Sequence, residues 1–158
     1  MSDYEIQTKK AFTILAFGTR LPDDYSKIPA AKDAWWQTIE ADGRWDQLKK
    51  SAANDLEFAI NEAINGEMHY YSGVESETKL PESDSVRMVQ FPAGEYLVIA
   101  GSADNEKDLF NQLEGAAFGN VLPKATDFAY VGGPNTSVKM GETGGSVNGE
   151  IWIPIVRK

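Results

Sequence analysis

The sequence predicts an α+β fold: two tandem strand-helix-strand-strand modules forming an antiparallel sheet, with the helices on one face and a ligand groove between the modules. Three observations carry that expectation. The order of apolar patterns repeats, two glycine landmarks recur 83 positions apart, and apolar strand segments match at the same offset.

Residues 6–19 read as the first strand, because Phe12, Ile14 and Ala16 alternate with the equally apolar Leu15 and Phe17. Both of its faces should therefore be covered. A helix is expected from about Pro29, since proline suits a first helical turn, with Trp35, Trp36 and Ile39 on it. Adjacent helix positions cannot both face the core, so only one of the two tryptophans should be fully buried. Asp42-Gly43 breaks the helix, and Trp45 and Leu48 mark a short continuation. Strands follow at about 56–64 and 67–75, joined by Asn65-Gly66, the preferred pair for a type I′ hairpin turn.

Residues 77–85 are polar and contain Pro81, the pattern of a linker between module one (about 1–76) and module two (about 86–158). Module two opens with a strand over 86–101, interrupted at Pro92-Ala93-Gly94. Asp104-Asn105 can cap a helix whose Leu109, Phe110, Leu113 and Ala117 share one face, with Gly119 and Pro123 expected to stop it. A short strand at 127–131, a glycine-rich loop at 132–149 and a closing strand at 150–156 complete the reading. Gly18 and Gly101 end the first strands of the two copies, and Gly66-Glu67 and Gly149-Glu150 open the last ones. One copy is too small to bury its sheet, so the halves must pair. The groove at their pseudo-twofold axis is expected on the side that the helices leave open.

Charge excludes one class of partner. With 24 acidic against 15 basic residues, a net charge of −9 and no basic cluster longer than a pair, direct nucleic-acid binding is not expected. No apolar run has the roughly 20 residues needed to span a bilayer, and no secretory leader is visible, so no membrane role and a cytoplasmic setting are expected. The chain has no cysteine and one histidine, His69, which leaves no thiolate metal site, no ligand cluster and no Ser-His-Asp triad. No cofactor is expected, since the glycine-rich segment lacks the Lys-Ser/Thr of a phosphate loop.

Three segments carry a family resemblance: Gly66-Glu67-Met68-His69-Tyr70-Tyr71-Ser72-Gly73-Val74-Glu75, Phe91-Pro92-Ala93-Gly94-Glu95-Tyr96-Leu97-Val98 and Glu150-Ile151-Trp152-Ile153-Pro154-Ile155. In this order and spacing they resemble the GyrI-like (gyrase-inhibitor-like) small-molecule-binding family. That family includes effector-binding domains of AraC- and MerR-type regulators and stand-alone integron-cassette effector-binding proteins. The resemblance implies an aromatic pocket for cationic or amphipathic compounds. Many members carry Glu-x-Tyr on the strand before the closing one, as the pocket's counter-charge. With Tyr130 matched to that tyrosine, Phe128 stands where the glutamate would be. No helix-turn-helix flanks the domain, so a complete transcription regulator is not expected.

The candidate ligand-binding residues are Trp36, Tyr71, Glu75, Tyr96, Phe128, Tyr130, Glu150 and Trp152. Core packing competes with ligand binding for each aromatic. Glu150 and Trp152 sit at alternate positions of the closing strand and should share a face, with Ile151, Ile153 and Ile155 under the helices. On this reading Trp152→Ala should weaken ligand binding and cost less stability than Ile153→Ala. The favoured function is a sensor, sequestering or effector-binding module for a small organic ligand. A hydrolase using a pocket Glu/Tyr pair, and a protein-interaction module with an unidentified partner such as gyrase, remain open alternatives.

Overall fold

The computed structural model describes residues 4–76 and 86–158. The expected linker at 77–85 lies outside them. Module one runs β1 (Glu5–Lys9), β2 (Phe12–Arg20), α1 (Ile28–Ala41), α2 (Arg44–Lys50), β3 (Glu57–Ile64) and β4 (Glu67–Val74). Module two runs β5 (Val86–Phe91), β6 (Gly94–Ala103), α3 (Glu106–Ala116), β7 (Phe128–Tyr130), β8 (Asn135–Thr143) and β9 (Ser146–Arg157). The strands form one antiparallel sheet in the order β1-β6-β9-β8-β3-β4-β2-β5, with β7 added to the end of β9.

That order reads alike from both ends. β3 and β8 meet at the centre, with Ala59 opposite Ser137, and each half continues outward through its closing strand to its long second strand. The outermost strands are exchanged: β1 pairs with β6 of the other half, and β5 pairs with β2. What reads as one strand over 6–19 is therefore two, divided at Lys10-Ala11 so that the chain can cross between halves.

The 83-position offset holds for the first strands and shrinks beyond them. Residues 21–27, including a 3-10 turn at Tyr25–Lys27, join β2 to α1, whereas only Asp104 and Asn105 join β6 to α3. After that shortening, Asn65-Gly66 corresponds to Gly144-Gly145, the glycine pair whose φ values of 59° and 85° turn β8 into β9. Gly149 lies inside β9, opposite Gly101, and forms no turn. The expected loop at 132–149 is thus mostly a hairpin, irregular at a bulge between Lys139 and Gly141. Its glycines and polar residues masked the strand alternation. The helix after Asn105 also runs past Gly119 and Pro123, through a π-type segment Ala117–Val121 to a last turn at Leu122–Lys124. Proline at the start of a turn needs no N–H there, so Pro123 does not stop it.

Two apolar clusters occupy the two faces of the sheet. Leu15, Phe17, Ala59, Leu97, Ile99, Ile151, Ile153 and Ile155 pack under α1 and α3 with Trp35, Ile39, Leu109, Phe110 and Leu113. On the opposite face Ile14, Ala16, Phe58, Ile60, Tyr71, Tyr96, Val98 and Trp152 pack on one another. Three strands separate β2 from β9 in the sheet, yet Phe12 meets Trp152 edge-to-face at 5.7 Å. The sheet therefore curls until its uncovered face is filled by its own side chains.

Candidate functional site

An open cleft with a volume of about 490 Å³ lies on the helix side, between α1 and α3 above the centre of the sheet. This is where the structure departs from the expected groove. The face without helices closes by curling, while α1 and α3, which meet through side chains, leave a gap between them.

Each helix contributes a charged residue and an aromatic at i, i+4 spacing, which brings the two side chains onto the same face. Lys32 and Trp36 come from α1, and Phe110 and Glu114 from α3. The helices run antiparallel, so the pairs meet crosswise. Trp36 stacks on Phe110 with ring centroids 6.3 Å apart, and Lys32 Nζ lies 3.2 Å from both carboxylate oxygens of Glu114. Tyr70 rises from β4 beneath them and accepts a 2.9 Å hydrogen bond from Trp36 Nε1. The Lys32 ammonium sits 4.7 Å from the centre of the Tyr70 ring.

A polar chain continues below Glu114. Asn61 Nδ2 donates to Glu114 Oε1 and to Asn135 Oδ1, each at 3.3 Å, and Asn135 Nδ2 donates to the Tyr130 hydroxyl at 3.1 Å. Asn61 and Asn135 face each other on β3 and β8 and are both buried, so their amides fix the carboxylate from the sheet centre.

The cleft carries excess acid: Asp33, Glu40, Asp104, Glu106, Glu114 and Glu142 against Lys32 and Lys107. The Tyr70 hydroxyl feels that charge. Burial pushes its pKa well above the usual phenol range, and Glu114, Asp33 and Glu106 push it further, against the opposing hydrogen bond from Trp36.

Of the residues expected at the site, Trp36 lines this cleft and is half-buried, while its neighbour Trp35 is buried in the core and donates to Ser72 at 3.1 Å. Tyr130 joins the cleft only through the asparagine chain, and it also donates to the Gly133 carbonyl. Phe128 is buried in the core under the helices.

The others lie across the sheet. Tyr71 donates to Glu62 at 3.0 Å, and burial followed by that carboxylate's charge raises its pKa. Tyr96 donates to the Pro92 carbonyl at 2.6 Å, and burial pushes its pKa up to about 12. Trp152 donates to Glu150, and both Glu150 and Glu75 act electrostatically on Lys9. Alternation on β9 is as expected, with the isoleucines under the helices and Trp152 opposite them.

Tyr70, Phe110 and Glu114 are not among the candidate ligand-binding residues that the sequence suggests. The signal was available, since Lys32/Trp36 and Phe110/Glu114 each pair a charged residue with an aromatic at i, i+4. Matching Tyr130 to the family's tyrosine places the glutamate position at Phe128, on the strand expected before the closing one, but that strand is β8. β7 is a separate piece that pairs with the end of β9. Among the described residues no cluster of His, Cys, Asp and Glu could hold a metal, and no helix is long and apolar enough to cross a membrane.

A duplicated α+β sheet with paired helices flanking a cleft at its centre defines a class, the tandem-module effector-binding domain. The chain matches the model of the integron-associated effector binding proteins over residues 5–155, and it belongs to that family. The resemblance carried by the three strand motifs is thus borne out.

No curated protein matches the sequence. Among solved structures, SAV2435 bound to tetraphenylphosphonium is similar at 15% identity and a TM-score of 0.77, covering 98% of this chain and 94% of that one. A proposed bacterial transcription regulation protein from Staphylococcus aureus MU50 is similar at 15% identity and a TM-score of 0.75, covering 98% and 99%. An integron cassette protein from the mobile metagenome of Vibrio cholerae follows at 14% identity and a TM-score of 0.55, covering 97% and 95%. At such identities these likenesses speak to the fold.

Proposed function

We propose that the chain binds a small amphipathic organic cation in the cleft between α1 and α3, as a sensor or sequestering module. One observation carries the reading: the Glu114 carboxylate stands among Trp36, Tyr70 and Phe110 in a cleft ringed by further acids. Aromatic faces attract a desolvated cation through their quadrupole, and a nearby carboxylate adds direct charge pairing. A volume of about 490 Å³ falls in the usual range for small-molecule sites. Family membership supplies the coarse statement, effector binding, and the acid set among aromatics supports the finer one. SAV2435 takes tetraphenylphosphonium, a lipophilic cation whose aryl groups suit a lining of this kind. Glu114, on α3, supplies the counter-charge that Phe128 does not. Trp36 belongs to this site and Tyr130 supports it from behind. We assign Tyr71, Glu75, Tyr96, Phe128, Glu150 and Trp152 to packing and ion pairing outside it.

Titration of the protein with tetraphenylphosphonium, read by tryptophan fluorescence and calorimetry, tests the proposal. Saturable binding is expected, and tetraphenylborate, of the same shape and opposite charge, should not bind. Glu114→Gln should weaken cation binding roughly tenfold, as for loss of one partly desolvated charge contact. Absence of saturable binding, or equal binding of both ions, overturns the reading.

A further inference from the structure

We infer that Lys32 is a tethered occupant of the cation site, covering the Glu114 carboxylate until a cationic ligand displaces it. The inference rests on the proposed cation-binding function and adds a residue that sets its threshold. Lys32 Nζ has what an organic cation would seek in this cleft: both oxygens of Glu114 at 3.2 Å and the face of Tyr70 at 4.7 Å. Its side chain is only 14% exposed, although a lysine of an outer helix could extend into water. The contact joins residues 82 positions apart, so it also ties α1 to α3 across the cleft mouth.

A ligand cation and the Lys32 ammonium cannot share one carboxylate and one ring face. Binding must therefore release Lys32 to solvent and remove one of the ties between the helices, leaving the Lys107–Asp33 ion pair at 2.8 Å. The carboxylate itself stays in place, because Asn61 holds Glu114 from below at 3.3 Å. The arrangement filters ligands. A weakly hydrated cation with aryl groups gains Trp36 and Phe110 as well as the Glu114 contact, while a small hydrated cation gains nothing over the lysine already there.

The test compares tetraphenylphosphonium binding to the full chain, Lys32→Met, Lys32→Arg and Lys50→Met, the last removing an equal charge from an exposed position on α2. Lys32→Met should bind roughly tenfold more tightly, the gain when a site free about a tenth of the time becomes always free. Lys32→Arg, which retains a tethered cation, and Lys50→Met should stay near the parent value. A readout that needs no variant is amine acylation of the parent protein followed by peptide mass analysis. Lys32 should react more slowly than Lys50 in the free protein and speed up at saturating tetraphenylphosphonium. Should the parent bind the cation while Lys32→Met binds no better and Lys32 acylation is unchanged, Lys32 is a structural strap and the inference falls alone. Should neither protein bind the cation, the functional proposal falls and takes this inference with it.

Discussion

Trp152 donates a 2.8 Å hydrogen bond from its indole nitrogen to Glu150, two residues earlier on the same strand, while the Lys9 ammonium lies 3.9 Å from the centre of its ring. Phe12 and Phe58 meet the same ring edge-to-face at 5.7 and 5.8 Å. This tryptophan is 7% exposed and closes the curled face of the sheet. Trp152→Ala should therefore cost about 3–5 kcal/mol, comparable to Ile153→Ala, rather than less. Chemical denaturation of both variants checks this. Because Trp152 lies across the sheet from the cleft, tetraphenylphosphonium affinity of the folded variant should match the parent.

Ser137 lies at the centre of the sheet, opposite Ala59, and its fully buried hydroxyl has no hydrogen-bond partner among the described residues. A buried hydroxyl without a partner carries a desolvation cost that its removal relieves. Ser137→Ala should leave stability unchanged or raise it by up to about 1 kcal/mol. A fall of more than that in urea denaturation would mean that the hydroxyl has a partner in solution, with bound water the first candidate.

Local chemistry made much of the fold legible. Asn65 and Gly66 adopt φ of 52° and 80°, as their type I′ signature requires, and Gly43 breaks α1 from α2 at φ 86°. The Asn105 side chain caps α3 through the Asp108 amide at 2.8 Å. The second hairpin was obscured because β8 carries Asn135, Thr136 and Ser137 where a buried strand usually carries branched apolar residues, all three here buried by the helices and neighbouring strands. The cleft was harder still. Whether a groove forms above or below a sheet depends on its curl, and curl arises from contacts between distant strands, such as Phe12 with Trp152, that no local pattern encodes.

Tyr70 supports the cleft wall by fixing Trp36. Its hydroxyl accepts from the indole at 2.9 Å and is almost wholly buried. Tyr70→Phe keeps the ring that faces Lys32 and removes only that acceptor. Stability should fall by about 1–2 kcal/mol, the cost of leaving a half-buried donor without its partner. Tryptophan emission should change as Trp36 loosens, and tetraphenylphosphonium should bind more weakly because the stacking surface is no longer fixed. Unchanged emission and affinity would show that Phe110 and Trp45, whose ring meets Trp36 edge-on at 4.9 Å, hold the indole without Tyr70.

Lys139 is the hub of a second charged cluster, at the bulge of β8. Its ammonium lies 2.9 Å from Glu106, 3.0 Å from Glu142 and 3.7 Å from Glu57, and its side chain is 14% exposed. Burial works against its charge, but the hydrogen bonds to Glu106 and Glu142 and the charges of Glu106 and Glu57 prevail and hold its pKa above the usual lysine range. Such a group stabilises the fold fully at neutral pH, and the contribution is lost only as alkaline pH passes its folded value. Glu106 is shifted in the opposite sense for stability. Burial and then the charge of Glu57 raise its pKa, so its ionisation disfavours the fold as pH rises through that value. Lys139→Met removes the cation that compensates both carboxylates. At pH 7 the loss should be about 2 kcal/mol, below the 3–5 kcal/mol for a fully buried pair, because Glu57 keeps Lys49 at 3.1 Å. The deficit should then shrink as the solution is acidified through the raised Glu106 value, since a protonated carboxyl no longer needs the lysine. Urea denaturation of parent and variant between neutral pH and the carboxylate range measures this difference directly. A deficit that stays constant across that range would mean that Lys139 contributes its aliphatic packing rather than its charge.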